Sequence, residues 1–262
     1  MHQIINCFIK YKLINRFNLI ILKKIKKLLK ILTKVTWLKG LRYGVAANIE
    51  LEDLIKDIKF NTVIDVGSNR GQFILLVKGF FKKITFHSFE PIIEILNIQK
   101  ETLKDFDNTF FYNFALGDKK TEKELNILNK PDASSFLEVD KKSNLRIKNN
   151  SDYNLKEKRL IKIFTVNEIF QKLECAKPIL MKIDVQGFEL DVIKGCGEFL
   201  KEIKYILLEA TYGDLYSVQP KSDQIIDFLN DKNFKIINKN EKSKIPDTDI
   251  YQQDILFENE MI

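Results

Sequence analysis

The chain has 262 residues, enough for one domain with a substantial buried core and an appendage. A content of 45% hydrophobic and 11% aromatic residues indicates a globular protein rather than a disordered one. The three cysteines are widely spaced and there are only two histidines, which argues against a disulfide framework, a zinc site and a histidine-based triad.

The positive charge is concentrated at one end of the chain. Residues 1–42 contain eleven Lys or Arg and no Asp or Glu, whereas the whole chain has a net charge of +7. The remaining residues therefore carry a net charge of −4. This asymmetry argues against a nucleic-acid channel through the main domain.

Residues 1–40 are predicted to form a basic, amphipathic, helical arm. Between Phe17 and Val35, leucines and isoleucines recur at helical spacing and lysines occupy much of the rest. Charges interrupt every apolar run before the 18 residues that a membrane span needs, and no small-residue cleavage site follows, as a signal peptide would require. Two interpretations remain: the helix packs on the main domain or on a second subunit, or residues 17–35 lie on an anionic membrane surface. RNA binding is a third and weaker interpretation.

After residue 40, short apolar strands alternate with helical patterns. Helices are predicted at about 72–80, 91–106, 187–200 and 223–230. The strands are predicted at Thr62–Gly67, Ile84–Glu90, Thr109–Leu116, Ile179–Asp184, Tyr205–Ala210, Phe234–Asn238 and Tyr251–Phe257. Such alternation predicts a mainly parallel seven-stranded sheet with helices on both faces. The last two strands lack room for a crossover helix, so the final strand is predicted to be antiparallel.

Residues 118–165 interrupt this alternation. Glu124–Leu128 and Ile161–Thr165 could form strands, but the segment between them is polar and rich in Lys, Asn and Ser. Connections of this length usually have a function. We interpret residues 118–165 as an insertion near the ligand cleft, acting as a lid.

Two features at strand ends suggest a nucleoside-containing cofactor. Gly67 and Gly71 bracket the first strand-to-helix turn, where residues without a Cβ allow a ligand to approach the backbone and a helix N-terminus can receive a carboxylate. Asp65, just before this turn, is placed to bind an amino group of the ligand. Glu90 ends the second strand and is placed to accept hydrogen bonds from ribose hydroxyls. A nicotinamide enzyme would prefer Gly at position 69, which is Asn here.

Seven motifs occur in the order seen in FkbM-type methyltransferases, and over residues 48–258 the chain resembles that family. The motifs are VIDVGSNRGQF, SFEP, ALGD, SSF, MKIDVQGFELDVIKG, LLEATY and DILF. The resemblance implies a class I, Rossmann-like methyltransferase domain over residues 41–262. The chain departs from the family at two positions: it has Ser68 where family members often have Ala, and Gln186 where they often have Glu.

The resemblance also implies the cofactor, S-adenosyl-L-methionine, and the residues that contact it. These are Asp65, Gly67, Asn69, Gly71, Phe73 and Glu90, with Asn113 and Ala115 near the adenine. The implied reaction is methyl transfer to an oxygen, commonly on a sugar or polyketide.

Methylation of a hydroxyl usually needs a base in line with the acceptor. The first candidate is Asp184 and the second is Glu209, with His87 third because a mid-strand histidine is more often packed in a core. The alternative role for Asp184 is a helix cap, and Tyr212 is a candidate for the acceptor pocket. Glu189 lies at the predicted start of a helix, where a favourable interaction with the helix dipole explains an acidic residue without a catalytic role. No compact metal signature is present, so we expect no metal site.

The leading hypothesis is O-methylation of a sugar in a polysaccharide or glycolipid, by a cytoplasmic protein whose arm contacts the inner face of the membrane. The alternatives are a methyltransferase acting on RNA or protein, a non-catalytic cofactor-binding module and a dehydrogenase. No DPPY-like segment follows Asp184, which argues against methylation of a base amino group. The oligomeric state and the identity of the acceptor are left open.

Overall fold

The computed structural model describes residues 25–140, 151–246 and 248–262. The predicted helix of residues 17–35 lies partly outside these ranges. Residues 25–31 are helical, and helix α1 (Val35–Leu41) follows them. None of the helices in the described ranges has the length and apolar content that crossing a bilayer needs.

The central sheet has eight strands. Five of them run parallel in the order β3-β2-β1-β7-β8: β1 (Thr62–Val66), β2 (Thr85–Phe89), β3 (Thr109–Tyr112), β7 (Ile179–Ile183) and β8 (Tyr205–Tyr212). The last strand, β11 (Tyr251–Asn259), pairs antiparallel with β8. On its other edge, β11 pairs with β9 (Phe234–Lys239) and with the short β10 (Ser243–Lys244). The predicted mainly parallel sheet with an antiparallel last strand is confirmed; β10 is the added eighth strand.

Alternate strand residues face two separate cores. Val63, Leu180 and Leu207 pack into one core with helix α3 (Gln72–Lys78). Ile64, Met181 and Ile206 pack into the other, with α6 (Glu189–Gly195) and α7 (Ser222–Asp231). Because successive side chains of a strand point to opposite faces, these two cores place helices on both sides of the sheet, as predicted.

Two predicted elements begin or end elsewhere. The helix predicted from Pro91 is α4 (Ile93–Leu103), because the Glu90 carboxylate accepts a hydrogen bond from the Ile92 backbone N–H and holds a turn before it. The strand predicted over Thr109–Leu116 is divided, since the chain leaves the central sheet after Tyr112. Ala115–Leu116 form β4, which belongs to a second sheet.

The second sheet is built mainly from the insertion. It has the order β4-β6-β5, with β5 (Thr121–Leu128) antiparallel to β6 (Leu155–Phe164). Both strands are longer than predicted, and helix α5 (Val166–Ile169) follows β6. Arg159 of β6 donates two hydrogen bonds to the Glu94 carboxylate of α4, at 2.6 and 2.9 Å. The insertion is therefore anchored to the main domain, and its movement as a lid stays a prediction.

The helical residues 25–31 do not place their leucines on the main domain. Ile31 and Trp37 are buried, and the short helix α2 (Glu52–Ile55) contributes to the same core. Leu28 and Leu29, however, are exposed, while neighbouring lysines pair with acidic residues of the domain. This differs from the interpretation in which the arm packs its apolar face on the domain.

Candidate active site

A cleft of about 420 Å³ opens at the carboxyl ends of β1, β2, β7 and β8. Ligand sites of α/β sheets usually occupy this position, and small-molecule pockets usually have volumes of about 300–1,000 Å³. The insertion supplies a second wall of the cleft, from Leu125, Lys130, Pro131, Asp132, Ala133, Ser134, Phe136 and Tyr153.

The glycine turn after β1 is shaped by the end of β7. Gly67 has a φ of +74°, and a Cβ at this position would overlap the Asp184 carbonyl oxygen. The backbone N–H groups of Gly67 and Ser68 both donate to the Phe89 carbonyl, at 3.1 Å. Gly71 has a φ of +86° and immediately precedes α3. The turn therefore requires glycine at position 67 for both its backbone conformation and its close packing.

Glu90 joins the loops that follow β1 and β2. Its carboxylate accepts hydrogen bonds from the backbone N–H of Asn69 at 3.0 Å and of Ile92 at 2.8 Å. Burial raises the pKa of Glu90 to about 7, although both hydrogen bonds oppose that change. Each oxygen still has a lone pair for a ligand hydroxyl, because a carboxylate offers about four acceptor positions.

A buried lysine connects β1 and β7 beneath the cleft. The Lys182 ammonium lies 3.7 Å from Asp65 Oδ1 and 3.3 Å from Asp184 Oδ2. Burial alone would lower the pKa of Lys182, but the carboxylates of Asp184 and Asp65 outweigh that effect and raise it. Asp65 is fully buried, its oxygens have no hydrogen-bond partner among the described residues, and burial raises its pKa to about 6.

A shared amide connects the two carboxylates of the cleft. Gln186 Nε2 lies 2.9 Å from Asp184 Oδ1 and 2.9 Å from Glu209 Oε2. Gln252 Nε2 donates to the same Glu209 oxygen at 2.8 Å. The amide orientation is supported by Tyr216, whose hydroxyl lies 3.1 Å from Gln186 Oε1. Burial raises the pKa of Glu209 well above its usual value, and the neighbouring Asp184 adds to that shift.

The structure brings most of the predicted site residues to this cleft. Those that line it are Gly67, Asn69, Phe73, Glu90, Ala115, Asp184 and Glu209. Asp65, Gly71 and Asn113 do not line it. Asp65 is fully buried and paired with Lys182, and Gly71 packs on Leu103. The exposed Asn113 donates to the carbonyls of Glu90 and Pro91.

Tyr212, His87 and Glu189 lie outside the lining of the cleft and have structural contacts. Tyr212 does not line the cleft, and its hydroxyl donates to Gln253 at 3.0 Å. His87 is buried between Tyr112 and the Glu174 carbonyl, and burial lowers its pKa. Glu189 is buried at the first position of α6, where it accepts hydrogen bonds from Gly187 and Val185. None of the three is placed for proton transfer in the cleft.

Several cleft residues carried no recognised role in the sequence. Lys182 could be predicted from the sequence, because a lysine inside an otherwise apolar strand is buried and needs charged or polar partners. Gln252 and Tyr153 had none, because each reaches the cleft from a distant part of the chain. Gln186 stands where the family often has Glu, and its side-chain amide joins Asp184 to Glu209.

Acidic side chains outnumber basic ones among the described residues of the cleft. Five carboxylates and two lysines line it: Glu50, Glu90, Asp132, Asp184, Glu209, Lys130 and Lys182. A cationic ligand is electrostatically favoured in such surroundings. Over the described ranges of the chain, no group of three or more His, Cys, Asp or Glu is arranged to hold a metal ion.

Comparison with known proteins gives one family match. The model of the methyltransferase FkbM domain matches residues 65–236, more than half of the chain. No curated protein sequence matches. Among solved structures, M. capricolum TrmK in complex with S-adenosyl-homocysteine has a TM-score of 0.43 and 11% identity, covering 81% of this chain and 69% of that chain. Aeropyrum pernix fibrillarin with bound S-adenosyl-L-methionine has a TM-score of 0.44 and 9% identity, covering 82% and 75%.

Proposed function

Because the chain belongs to the FkbM methyltransferase family, whose cofactor is S-adenosylmethionine, we propose that it methylates a hydroxyl group of a carbohydrate. The observation that carries this proposal is the pair of carboxylates, Asp184 and Glu209, that share the Gln186 amide in the cleft. Such a pair can position a hydroxyl and accept its proton while the new oxygen–carbon bond forms.

The residues of the cleft fit the cofactor. S-adenosylmethionine supplies an electrophilic methyl group on a positively charged sulfonium, which the acidic side chains of the cleft favour. Glu90 would accept hydrogen bonds from the ribose hydroxyls, in keeping with its buried carboxylate. The turn from Gly67 to Asn69 would receive the amino-acid end, and Ala115 leaves room for the adenine.

Of the two carboxylates, Glu209 suits the role of base better. A general base works best when its pKa is near the operating pH, and the pKa of Glu209 is raised well above its usual value. Asp184 forms an ion pair with the Lys182 ammonium at 3.3 Å. Asp184 would therefore orient the acceptor hydroxyl, and Glu209 would take the proton.

The lining of the cleft favours a sugar over a nucleic acid. Neutral amide side chains, which donate and accept hydrogen bonds as sugar hydroxyls do, line it at Asn48, Asn69, Gln72, Gln186 and Gln252. Among the described residues, two lysines line it, whereas a nucleic acid would need several cations for its phosphates.

Transfer of a labelled methyl group to a panel of sugar nucleotides and glycolipids tests this function. We expect transfer to at least one sugar, a loss of about 10²–10⁴-fold in kcat for Glu209→Gln, and unchanged cofactor affinity by calorimetry. Full activity of Glu209→Gln would remove the proposed base. Transfer to RNA and not to any sugar would overturn the carbohydrate assignment.

A further inference from the structure

The helical residues 25–31, with Leu32 immediately after them, expose an apolar face to solvent. Ile25, Leu28, Leu29 and Leu32 are 51, 49, 60 and 51% exposed. The Leu32 N–H donates to the Leu28 carbonyl at 3.0 Å, so the helical geometry includes Leu32. At 3.6 residues per turn these four side chains lie on one side of the helix. We call this surface the leucine face.

The opposite side of the same helix contacts the main domain through charges. Lys27 Nζ lies 2.8 Å from Glu50 Oε2, and Lys30 Nζ lies 2.6 Å from Glu52 Oε2. Ile31, on the flank of the helix, is buried. A helix that only supported the domain would place leucines inward and lysines outward. This helix has the reverse orientation, which leaves a contiguous apolar surface available to a partner.

The helix that carries the leucine face contacts a cleft residue through its opposite side. Glu50, the partner of Lys27, also lines the cleft. Asn48 lines it too, and its backbone N–H donates to the Gln72 carbonyl at 3.2 Å. A surface that binds the leucine face would therefore be separated from Glu50 by the helix, whose diameter is about 10 Å.

The charge of the arm selects among the possible partners of this face. Residues 1–42 carry eleven positive side chains and no negative ones, and of the eleven, Lys27, Lys30 and Lys39 pair with acidic residues of the domain. A second copy of the chain would bring two such arms together, and their charges would repel each other. An anionic bilayer complements the charge, with about 1 kcal/mol for each Lys or Arg near the surface, and its acyl chains accept leucines.

We propose that the leucine face docks the enzyme on an anionic lipid bilayer and holds the cleft near the lipid surface, with the helix between them. The methylated sugar is then one that is carried on a lipid. This second part rests on the proposed function. The helix lies in the plane of the interface, with Lys27 and Lys30 holding it to the domain.

Co-sedimentation of the full chain with vesicles tests the docking. The vesicles are phosphatidylcholine alone or phosphatidylcholine with phosphatidylglycerol. The variant is Leu28→Ser/Leu29→Ser, and the matched control is Leu155→Ser/Leu160→Ser, which removes two leucines of similar exposure from β6. We expect binding to the anionic vesicles only, at least about tenfold weaker for the arm variant and unchanged for the control. Far-UV circular dichroism checks that both variants are folded.

Two results would overturn the docking: equal loss of binding in the arm variant and the control, or no vesicle binding by the full chain. Sedimentation velocity without lipid provides a further test. If the unmodified chain forms a dimer and does not bind vesicles, and the arm variant is a monomer, the leucine face binds a second copy of the chain instead.

The acceptor class needs a separate measurement. Methyl transfer is compared between a glycolipid in anionic vesicles and the same sugar free in solution. We expect the arm variant to lose at least about tenfold on the glycolipid and to keep its rate on the free sugar. Equal rates on both for the arm variant and the unmodified chain would overturn the lipid-linked acceptor. Absence of transfer to either acceptor, with vesicle binding intact, would instead contradict the proposed function.

Discussion

Gln186 holds Glu209 through a 2.9 Å hydrogen bond from its side-chain amide, and the same nitrogen reaches Asp184. Residue 186 has a φ of +54°, a conformation that turns the chain sharply after β7. The bond joins the ends of two neighbouring strands. One uncharged side chain therefore keeps two carboxylates close together at the proposed methyl-transfer position.

Replacement of Gln186 by Leu should move the acidic limb of the pH–rate profile to higher pH. The hydrogen bond from the amide stabilises the charged form of Glu209, and without it the pKa of Glu209 rises further. The measurement is kcat against pH under saturating cofactor. Gln252→Leu removes the other amide hydrogen bond to the same Glu209 oxygen, at 2.8 Å, and should move the limb in the same direction. An unchanged profile in both variants would show that Glu209 is not the group whose titration produces the acidic limb.

Lys182→Met should lower the free energy of unfolding by about 3–5 kcal/mol, the usual effect of removing one partner from a buried ion pair. The ammonium is buried between Asp65 and Asp184, and its loss leaves Asp65 with no compensating charge. Denaturant unfolding measures the effect. The double variant Asp65→Asn/Lys182→Met should recover part of the loss. A single variant as stable as the unmodified chain would contradict the importance of this pair.

Gly67→Ala should destabilise the chain more than Gly44→Ala. Both glycines have a positive φ, +74° and +68°, so both substitutions introduce about 1–2 kcal/mol of backbone strain. Only the Cβ at position 67 would overlap the Asp184 carbonyl, since no atom lies within 4 Å of a Cβ at position 44. The difference between the two unfolding free energies isolates the steric overlap. Equal values would mean that the turn can move away from β7.

Glu90→Gln should weaken S-adenosylmethionine binding by about tenfold or more. Removal of the charge weakens the proposed hydrogen bonds to the ribose hydroxyls, and bonds to charged groups contribute about 1.5–3 kcal/mol. Isothermal calorimetry measures the affinity. Glu94→Gln on the neighbouring helix α4 is the control, because Glu94 does not line the cleft. Equal affinities for both variants would show that Glu90 does not bind the cofactor.

Stability should decrease as the pH rises from about 5 to about 8. Burial raises the pKa of Asp65 and Asp254 to about 6, and that of Glu90 and Glu189 to about 7. Between the unfolded and folded pKa values of each acid, the folded chain binds more protons than the unfolded chain. The slope of unfolding free energy against pH is therefore negative, and the stabilising contribution is lost as the pH passes through the folded pKa. Unfolding titrations at several pH values measure this slope. Glu189→Gln should flatten it near pH 7, and a positive slope over this range would contradict the assignment.

The predicted and observed structures agree where the signal is local. The β1 strand, its glycine turn and Glu90 could be predicted because a buried strand, a turn that needs glycine and an acid at a strand end each leave a pattern within a few residues. The reversed β11 could be predicted because too few residues separate it from β9 for a crossover helix. Thr109–Leu116 could not be divided correctly, because no residue type in it marks the departure of the chain from the central sheet.

By itself, the sequence determined the class of fold, the family and the loops that surround the cleft, since short-range patterns and ordered motifs encode them. Only the tertiary structure decided which distant groups meet. Strand register places Lys182 opposite Asp65, the fold brings Gln252 to Glu209, and helix packing turns the leucines of residues 25–32 outward. Residues far apart in the chain have no fixed spacing before folding, so their pairing depends on how strands and helices pack against one another.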